Sequence, residues 1–376
     1  MAENSISSDH YSLKSVGTDA GSGLYPEIEY RPKDPVEFRP AIGLIACGGI
    51  TESHLTAYSR AGYNVVALCD LDEDRAIRRR GQFYPDAWIT TDYRALLKRN
   101  DIEVVDIATH PLERLPLIEA ALIAGKHVLS QKPFVLDLAE GERLATLANS
   151  TGRRLAVNQN GRWAPHFSYI RNAIRRGVVG ELMSVHQAVH WDHTWTIGTR
   201  FEDIDDLILY DFAIHWFDIL RLFLGDRGWN RVVATRSRAI GQVARPPMLA
   251  QAIIDFDGGQ ASLVFDAHIK FDARDTTYVG GSAGTIRAEG ANLGQQTVTV
   301  TTADGVFTPH LEGSWFPDGF HGSMAELLCA IEEEREPLNS ATDNLRGLEL
   351  CFAAIASASD GQPRYPGQVR MLHTHG

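Results

Sequence analysis

Cysteine is scarce in this 376-residue chain: Cys47, Cys69, Cys329 and Cys351 stand in apolar contexts without metal-ligand spacing. They read as buried free thiols in a reducing, cytoplasmic compartment. Long apolar runs are missing as well. None reaches the roughly 18–20 residues that span a bilayer, so no membrane partner is expected. The opening "MAENSISSDHYSLKSVGTDAGSG" lacks the basic and apolar segments of a secretory signal. Basic runs are few and the formal net charge is −12. The short "RAIRRR" at 75–80 reads as a solvated helix face, and no nucleic-acid partner is expected. No internal repeat is found. What remains is an ordinary globular composition, 44% hydrophobic and 22% charged. It is long enough for a large core and two domains.

Residues 1–39 are polar, rich in Gly, Ser and Pro, and read as an extended arm. From residue 41 short apolar runs alternate with helix-like segments up to "RLAVNQN" at 154–160. Buried, non-alternating strands separated by helices predict a parallel sheet covered on both faces over 40–160. Beyond it, "LMSVHQAVH", "RVVATRS", "QAIIDFDGGQASLVFDAHI" and "TVTVTTADGVF" alternate as strands. Asp257-Gly258-Gly259 and Asp304-Gly305 supply hairpin turns. The fold class is therefore α/β: an N-terminal parallel sheet, then a second domain over 161–376 with a large, mainly antiparallel, open-faced sheet. An open face with apolar residues calls for a partner, so a dimer or tetramer is expected, with the arm as a candidate to reach across the interface.

The first strand-to-helix turn, "IGLIACGGITESH", places Ala46, Gly48 and Thr51 at the three fingerprint positions of a dinucleotide turn, with Gly49 and Ile50 between. Only the middle glycine of G-x-G-x-x-G survives. It lets backbone approach a pyrophosphate seated on the next helix N-terminus. Asp70 ends the second strand 22 residues after Gly48. An acid there accepts ribose hydroxyls and repels a 2′-phosphate, which favours NAD over NADP. Capping of the following helix is its other reading.

Two further stretches carry chemistry. Gln131-Lys132-Pro133 follows the strand "HVLS", on the edge where open α/β sheets bind ligands. Pro133 restricts how Lys132 is presented. The stretch "YDFAIHWFD" (210–218) sits in a helix over about 205–224 that is apolar on nearly every side. It nevertheless carries Asp211, His215 and Asp218 at spacings that stack on one face. Ionisable groups in such a helix are paired or used.

The order "IGLIACGGITESH", "ALCD", "DIATHP", "AALIAGKHVLSQKPF", "LYDFAIHWFD" resembles the Gfo/Idh/MocA family, relatives of glucose–fructose oxidoreductase and inositol dehydrogenase, over about residues 41–360. "AGKHVLSQKPF" is similar to the family's "AGKHVxxEKP", and D-x-x-x-H recurs in an apolar helix. The resemblance implies a Rossmann domain, a C-terminal α/β domain, and nicotinamide-dependent oxidation or reduction of a sugar or cyclic polyol. It also implies Lys132, Asp211 and His215 at the active centre, and leaves open which of Lys132 and His215 takes the proton. His215 suits a general base, Lys132 a developing alkoxide, and Asp211 the substrate or the orientation of the site. Departures are Gln131 for the family's glutamate, Arg114 where histidine is frequent, and Ala46 and Thr51 in the turn.

The expected cofactor contacts are Ala46, Gly48, Gly49, Ile50, Asp70, Thr109, His110, Gln131, Lys132, Asn160 and Arg162. The expected substrate contacts are Lys132, Arg162, Trp191, His193, Asp211 and His215. A structural role for Arg162 is equally open. So is an amphipathic strand end for "HWDHTW" at 190–195, whose Trp, Asp and His side chains otherwise suit a sugar. Asp218 is expected to pair with backbone or with Arg221. His190, His193, His215 and Asp211 offer metal-ligand types, but Lys132 and the resemblance argue against a metal. A redox-neutral enzyme with recycling NAD(H), and a non-catalytic NAD-binding regulator, are the alternative functions.

Overall fold

The computed structural model describes residues 27–372. Its first sheet has six parallel strands in the order β3-β2-β1-β4-β5-β6. These are β1 (Ala41–Ile45), β2 (Asn64–Cys69), β3 (Trp88–Thr90), β4 (Ile102–Ile107), β5 (His127–Gln131) and β6 (Leu155–Asn158). Between them run α1 (Thr51–Ala61), α2 (Glu73–Phe83), α3 (Tyr93–Leu97), α4 (Pro111–Ile123) and α5 (Leu138–Ser150). β1, β4 and β5 are buried along almost their whole length, as strands covered on both faces must be. The order reverses between β1 and β4, the switch point beyond whose strand C-terminal ends open α/β sheets bind ligands.

After α6 (Pro165–Arg175) and β7 (Leu182–His190) comes α7 (Ile214–Leu224). Then follow β8 (Arg231–Ser237), β9 (Leu249–Phe256), β10 (Gly259–Asp266), β11 (Arg274–Gly281), β12 (Gly284–Asn292), β13 (Gln295–Thr302) and β14 (Gly305–Phe307). They complete an eight-stranded sheet ordered β14-β13-β12-β11-β7-β10-β9-β8, antiparallel except where β7 pairs with β10. Alternation along β9 and β10 buries Ala250, Ala252, Ile254, Leu263 and Phe265 on one face. The other face carries exposed Ile253 and Tyr278 among Gln, Ser and Thr. Tyr278 stacks on His186, its cross-strand neighbour.

Two helices close the chain, α8 (Trp315–Glu332) and α9 (Ala341–Asp360). α8 turns back onto the first sheet. Its Phe320, Met324, Leu327 and Leu328 join one core with Leu44, Leu55, Val104 and Leu129. The described part of the arm lies along its own chain. Backbone N–H groups of Val36, Glu37 and Phe38 donate to Glu332, and Arg31 pairs with Glu312 at 2.6 Å. These contacts anchor residues 31–38 to α8 and the segment before it; residues 1–26 lie outside the described residues. All four cysteines are buried and free. No described helix is long and apolar enough to cross a membrane.

Candidate active site

Lys132 and Asp211, 79 residues apart in sequence, meet in space. Lys132 Nζ donates to the Asp211 backbone carbonyl at 2.8 Å and lies 3.2 Å from its Oδ1. The predicted helix over 205–224 is interrupted at this point. Residues Ile208–Phe212 form a π-turn, closed by Ala213 N–H to the Ile208 carbonyl at 2.7 Å, before α7 begins. Such turns frequently mark functional sites. Here the turn carries Asp211, and α7 carries His215 in its first turn.

His215 is buried, and its Nδ1 has no partner among the described residues. Burial first, and the Lys132 charge second, hold its pKa well below the ordinary 6.5. The ring is therefore neutral at physiological pH and can accept a proton. It meets Trp315 edge-on at 5.3 Å.

The segment bearing Lys132 is clamped from both sides. Its backbone N–H donates to Gln131 Oε1 at 2.7 Å. Arg114, almost fully buried, donates to the carbonyls of Thr109, Lys132 and Pro133. Burial pushes its pKa down to about 10. The arginine that stands where the family often has histidine is thus a backbone clamp.

Aromatic rings form the adjoining wall. Trp191 stacks on Phe212 at 5.0 Å, and His193 packs on Phe212 at 4.7 Å. Trp195 donates from Nε1 to His193 Nδ1 at 3.3 Å and meets Phe201 edge-on. Burial first lowers His193 to about 4, with Asp211 and Lys132 near enough to pull in opposite directions. Trp191 Nε1 and His193 Nε2 have no described partner. At the end of β4, Thr109 Oγ1 and both ring nitrogens of His110 are likewise unpartnered.

The dinucleotide turn fits its expected occupant. No side chain caps α1, leaving its N-terminus open to an anion. A Cβ on Gly48 or Gly49 would meet nothing within 4 Å, so open space adjoins the turn. Ile50 stands at the N-cap. Ala46 holds φ at 75°, the left-handed conformation that a glycine in this position adopts without strain. Asp70 closes β2: its Oδ2 accepts from Cys47 N–H at 2.6 Å and its Oδ1 from Asp72 N–H at 2.9 Å. Those bonds leave lone pairs for ribose hydroxyls. The cap of α2 is Asp72, not Asp70.

Other expectations need correction. Arg162 is 1% exposed and spends its donors on Asp218, the Leu338 carbonyl and Asp343. Four of its five N–H groups are engaged inside the core, and it, rather than Arg221, is the partner of Asp218. Asn160 accepts from Trp315 Nε1 at 2.7 Å and supports the ring beneath His215. Gln131 is turned inward to His54. His190 pairs with Asp266 on the sheet's open face. Among the described residues no group of three or more His, Cys, Asp or Glu is placed to hold a metal. Within "RAIRRR", Arg79 is buried and donates to the Gly48 and Gly49 carbonyls. Its position three residues after Ala76 on a helix was the available signal. Gln159, buried with both amide atoms unpartnered, and the His54–Asp106 pair were also not singled out.

The chain matches a model of the oxidoreductase family with NAD-binding Rossmann fold over residues 41–159, and the Gfo/Idh/MocA C-terminal domain over 167–287. It is 28% identical to a D-apiose dehydrogenase of Paraburkholderia graminis over 85% of this chain and 88% of that one. It is 27% identical to an inositol 2-dehydrogenase of Rhizobium meliloti over 85% and 96%. An oxidoreductase of Agrobacterium radiobacter, solved with NAD+, L-tartaric acid and magnesium, shares the fold. Its TM-score is 0.78 at 22% identity, over 87% of this chain and 98% of that one.

Proposed function

The chain belongs to the Gfo/Idh/MocA family of oxidoreductases, and on that premise we propose that it is an NAD(H)-dependent dehydrogenase of a secondary alcohol on a sugar, sugar derivative or cyclic polyol. The observation that carries this reading is Lys132 Nζ resting on Asp211, with His215 four residues further on. The names of the similar dehydrogenases support the substrate class.

Bound nicotinamide supplies the redox chemistry. Ala46, Gly48, Gly49, Ile50 and Asp70 would hold its adenosine and pyrophosphate end, and Thr109 and His110 the crevice end. The two oxygens of Asp70 disfavour a 2′-phosphate, which supports NAD over NADP. The remaining work falls to side chains at the opposite wall. An ammonium has three N–H groups; Lys132 aims two at Asp211 and keeps the third for the substrate oxygen. Its charge favours the alkoxide as the hydroxyl loses its proton. His215, neutral through burial, takes that proton. Asp211 holds Lys132 in place and offers its second oxygen to a neighbouring hydroxyl. Trp191 and His193 present flat faces and free N–H or N groups suited to a polyol. The exposed Ile253 and Tyr278 of the large sheet support a homo-oligomer formed through that face. A monomer by light scattering would overturn that part.

The test is a screen of the purified protein with NAD and NADP against sugars and inositols, following absorbance of the reduced nicotinamide. A substrate turning over with NAD, and a loss of at least about 10²-fold in Lys132→Ala and His215→Ala with NAD affinity kept, is the expected result. Near wild-type turnover in either variant removes that residue from the mechanism.

A further inference from the structure

Beneath the lysine lies a polar cluster that the mechanism above does not use. His54, on α1, is fully buried. Its Nδ1 is 2.7 Å from Asp106 Oδ2, and Tyr58 donates to the same oxygen at 2.7 Å. Its Nε2 is 3.1 Å from Gln131 Nε2 and 3.3 Å from Asn158 Nδ2. Gln131 in turn accepts the Lys132 backbone N–H on Oε1 at 2.7 Å. Phe320 of α8 packs on the imidazole at 4.7 Å.

The proton inventory of this cluster has one solution. The Lys132 N–H is a donor whatever the side chains do, so the amide oxygen of Gln131 must face it. The Gln131 NH2 must then face His54, whose Nε2 has to be an acceptor. Asn158, with its nitrogen turned the same way, is a second donor to that atom. A ring whose Nε2 accepts carries its single proton on Nδ1, and Asp106 is there to receive it. We propose that Asp106 and His54 form a positioning relay: Asp106 fixes the His54 tautomer, His54 fixes the Gln131 amide, and Gln131 holds the peptide that presents Lys132 to Asp211. The relay ties four elements, α1, β4, β5 and β6, to one lysine. The relay rests on the reading of Lys132 as the group that meets the substrate oxygen.

Three isosteric changes test it. His54→Asn keeps an N–H for Asp106 and deletes the acceptor for Gln131. Gln131→Met keeps the volume and deletes both bonds. Gln131→Glu keeps the acceptor for Lys132 and restores the link to His54 Nε2 through one proton shared between carboxyl and imidazole. Nitrogen NMR of the imidazole reads the tautomer without turnover. Wild type is expected to show a proton on Nδ1 alone, with Nε2 unprotonated. His54→Asn and Gln131→Met are expected to lose about tenfold in kcat with NAD affinity unchanged, and Gln131→Glu to regain most of that loss. A wild-type ring protonated on Nε2, or wild-type kcat in Gln131→Met, overturns the relay. Gln131→Met keeps the test alive where His54→Asn does not fold. A correct tautomer in a chain that oxidises no polyol would fail the dehydrogenase reading and leave the His54 assignment intact.

Discussion

Replacing Arg162 by methionine separates two roles that its position in "VNQNGRWAP" left open. The guanidinium and the Asp218 carboxylate are each 1% exposed and joined by two bonds, at 2.7 and 2.5 Å. Removing the cation strands a carboxylate in the core, which costs roughly 3–5 kcal/mol. Arg221, three residues after Asp218 on α7 and now bonded to Asp343, can swing partly into its place. That argues for the lower end, about 3 kcal/mol, still a large share of the roughly 5–15 kcal/mol that hold a domain together. Arg162→Met should therefore melt several degrees lower and unfold at lower urea, while NAD affinity measured by calorimetry stays within about twofold. The double change Arg162→Met with Asp218→Leu should recover stability, because apolar isosteres replace a buried pair at little cost. A single variant with wild-type melting and weakened NAD binding would refute the argument and return Arg162 to the ligand site.

Four further outcomes rest on the turn, the ribose acid and the buried histidines. Ala46→Gly relieves a left-handed alanine and should raise stability by about 0.5–1 kcal/mol in urea melts without altering NAD affinity. Asp70→Ala should weaken NAD at least about tenfold in titration and cost about 1–3 kcal/mol, because it strips the acceptor from the buried Cys47 N–H. The histidines held neutral by burial, His127 and His193 at about 4, His166 at about 3 and His215 well below 6.5, bind solvent protons between pH 7 and 5 only on unfolding. Their stabilisation is complete above 6.5 and is lost as pH falls below it. Asp275, pushed by burial to about 7, acts in the opposite sense. About three net protons then separate the states near pH 5, a slope of at most about 4 kcal/mol per pH unit. Urea melts between pH 7 and 5 that show no loss would contradict it. The acid limb of kcat/KM for oxidation should likewise lie below 6.5.

The sheets were readable because burial imposes different periods on them. Continuous apolar runs such as "VVDIAT" become strands covered on both faces, and alternating ones such as "QAIIDF" become half-covered strands. His215 stood out for a related reason, as an ionisable group amid apolar neighbours, whereas Lys132 stood out by its place after β5 and by the resemblance of "AGKHVLSQKPF". What escaped were pairings across long separations. Arg162 and Asp218 lie 56 residues apart, and His54 and Asp106 lie 52 apart. No local periodicity announces either one. The crossing of α8 onto the first sheet was hidden in the same way, since an apolar helix does not say which sheet it covers.

The π-turn at 208–212 shows where a spacing argument reaches its limit. Asp211, His215 and Asp218 were grouped because a regular helix stacks residues three and four apart. The five-residue hydrogen-bond step before α7 adds an extra residue to the turn that carries Asp211. Asp211 thereby reaches Lys132, His215 opens the first regular turn beside it, and Asp218 goes inward to Arg162. All three are buried, at 8%, 7% and 1% exposure, so burial alone would not have divided them. Their partners do: a lysine from the crevice edge for the first, no described partner on Nδ1 for the second, and a core arginine for the third. Of the three, only His215 keeps a nitrogen without a described partner, and that supports the proposal that it, rather than Asp218, handles the substrate proton.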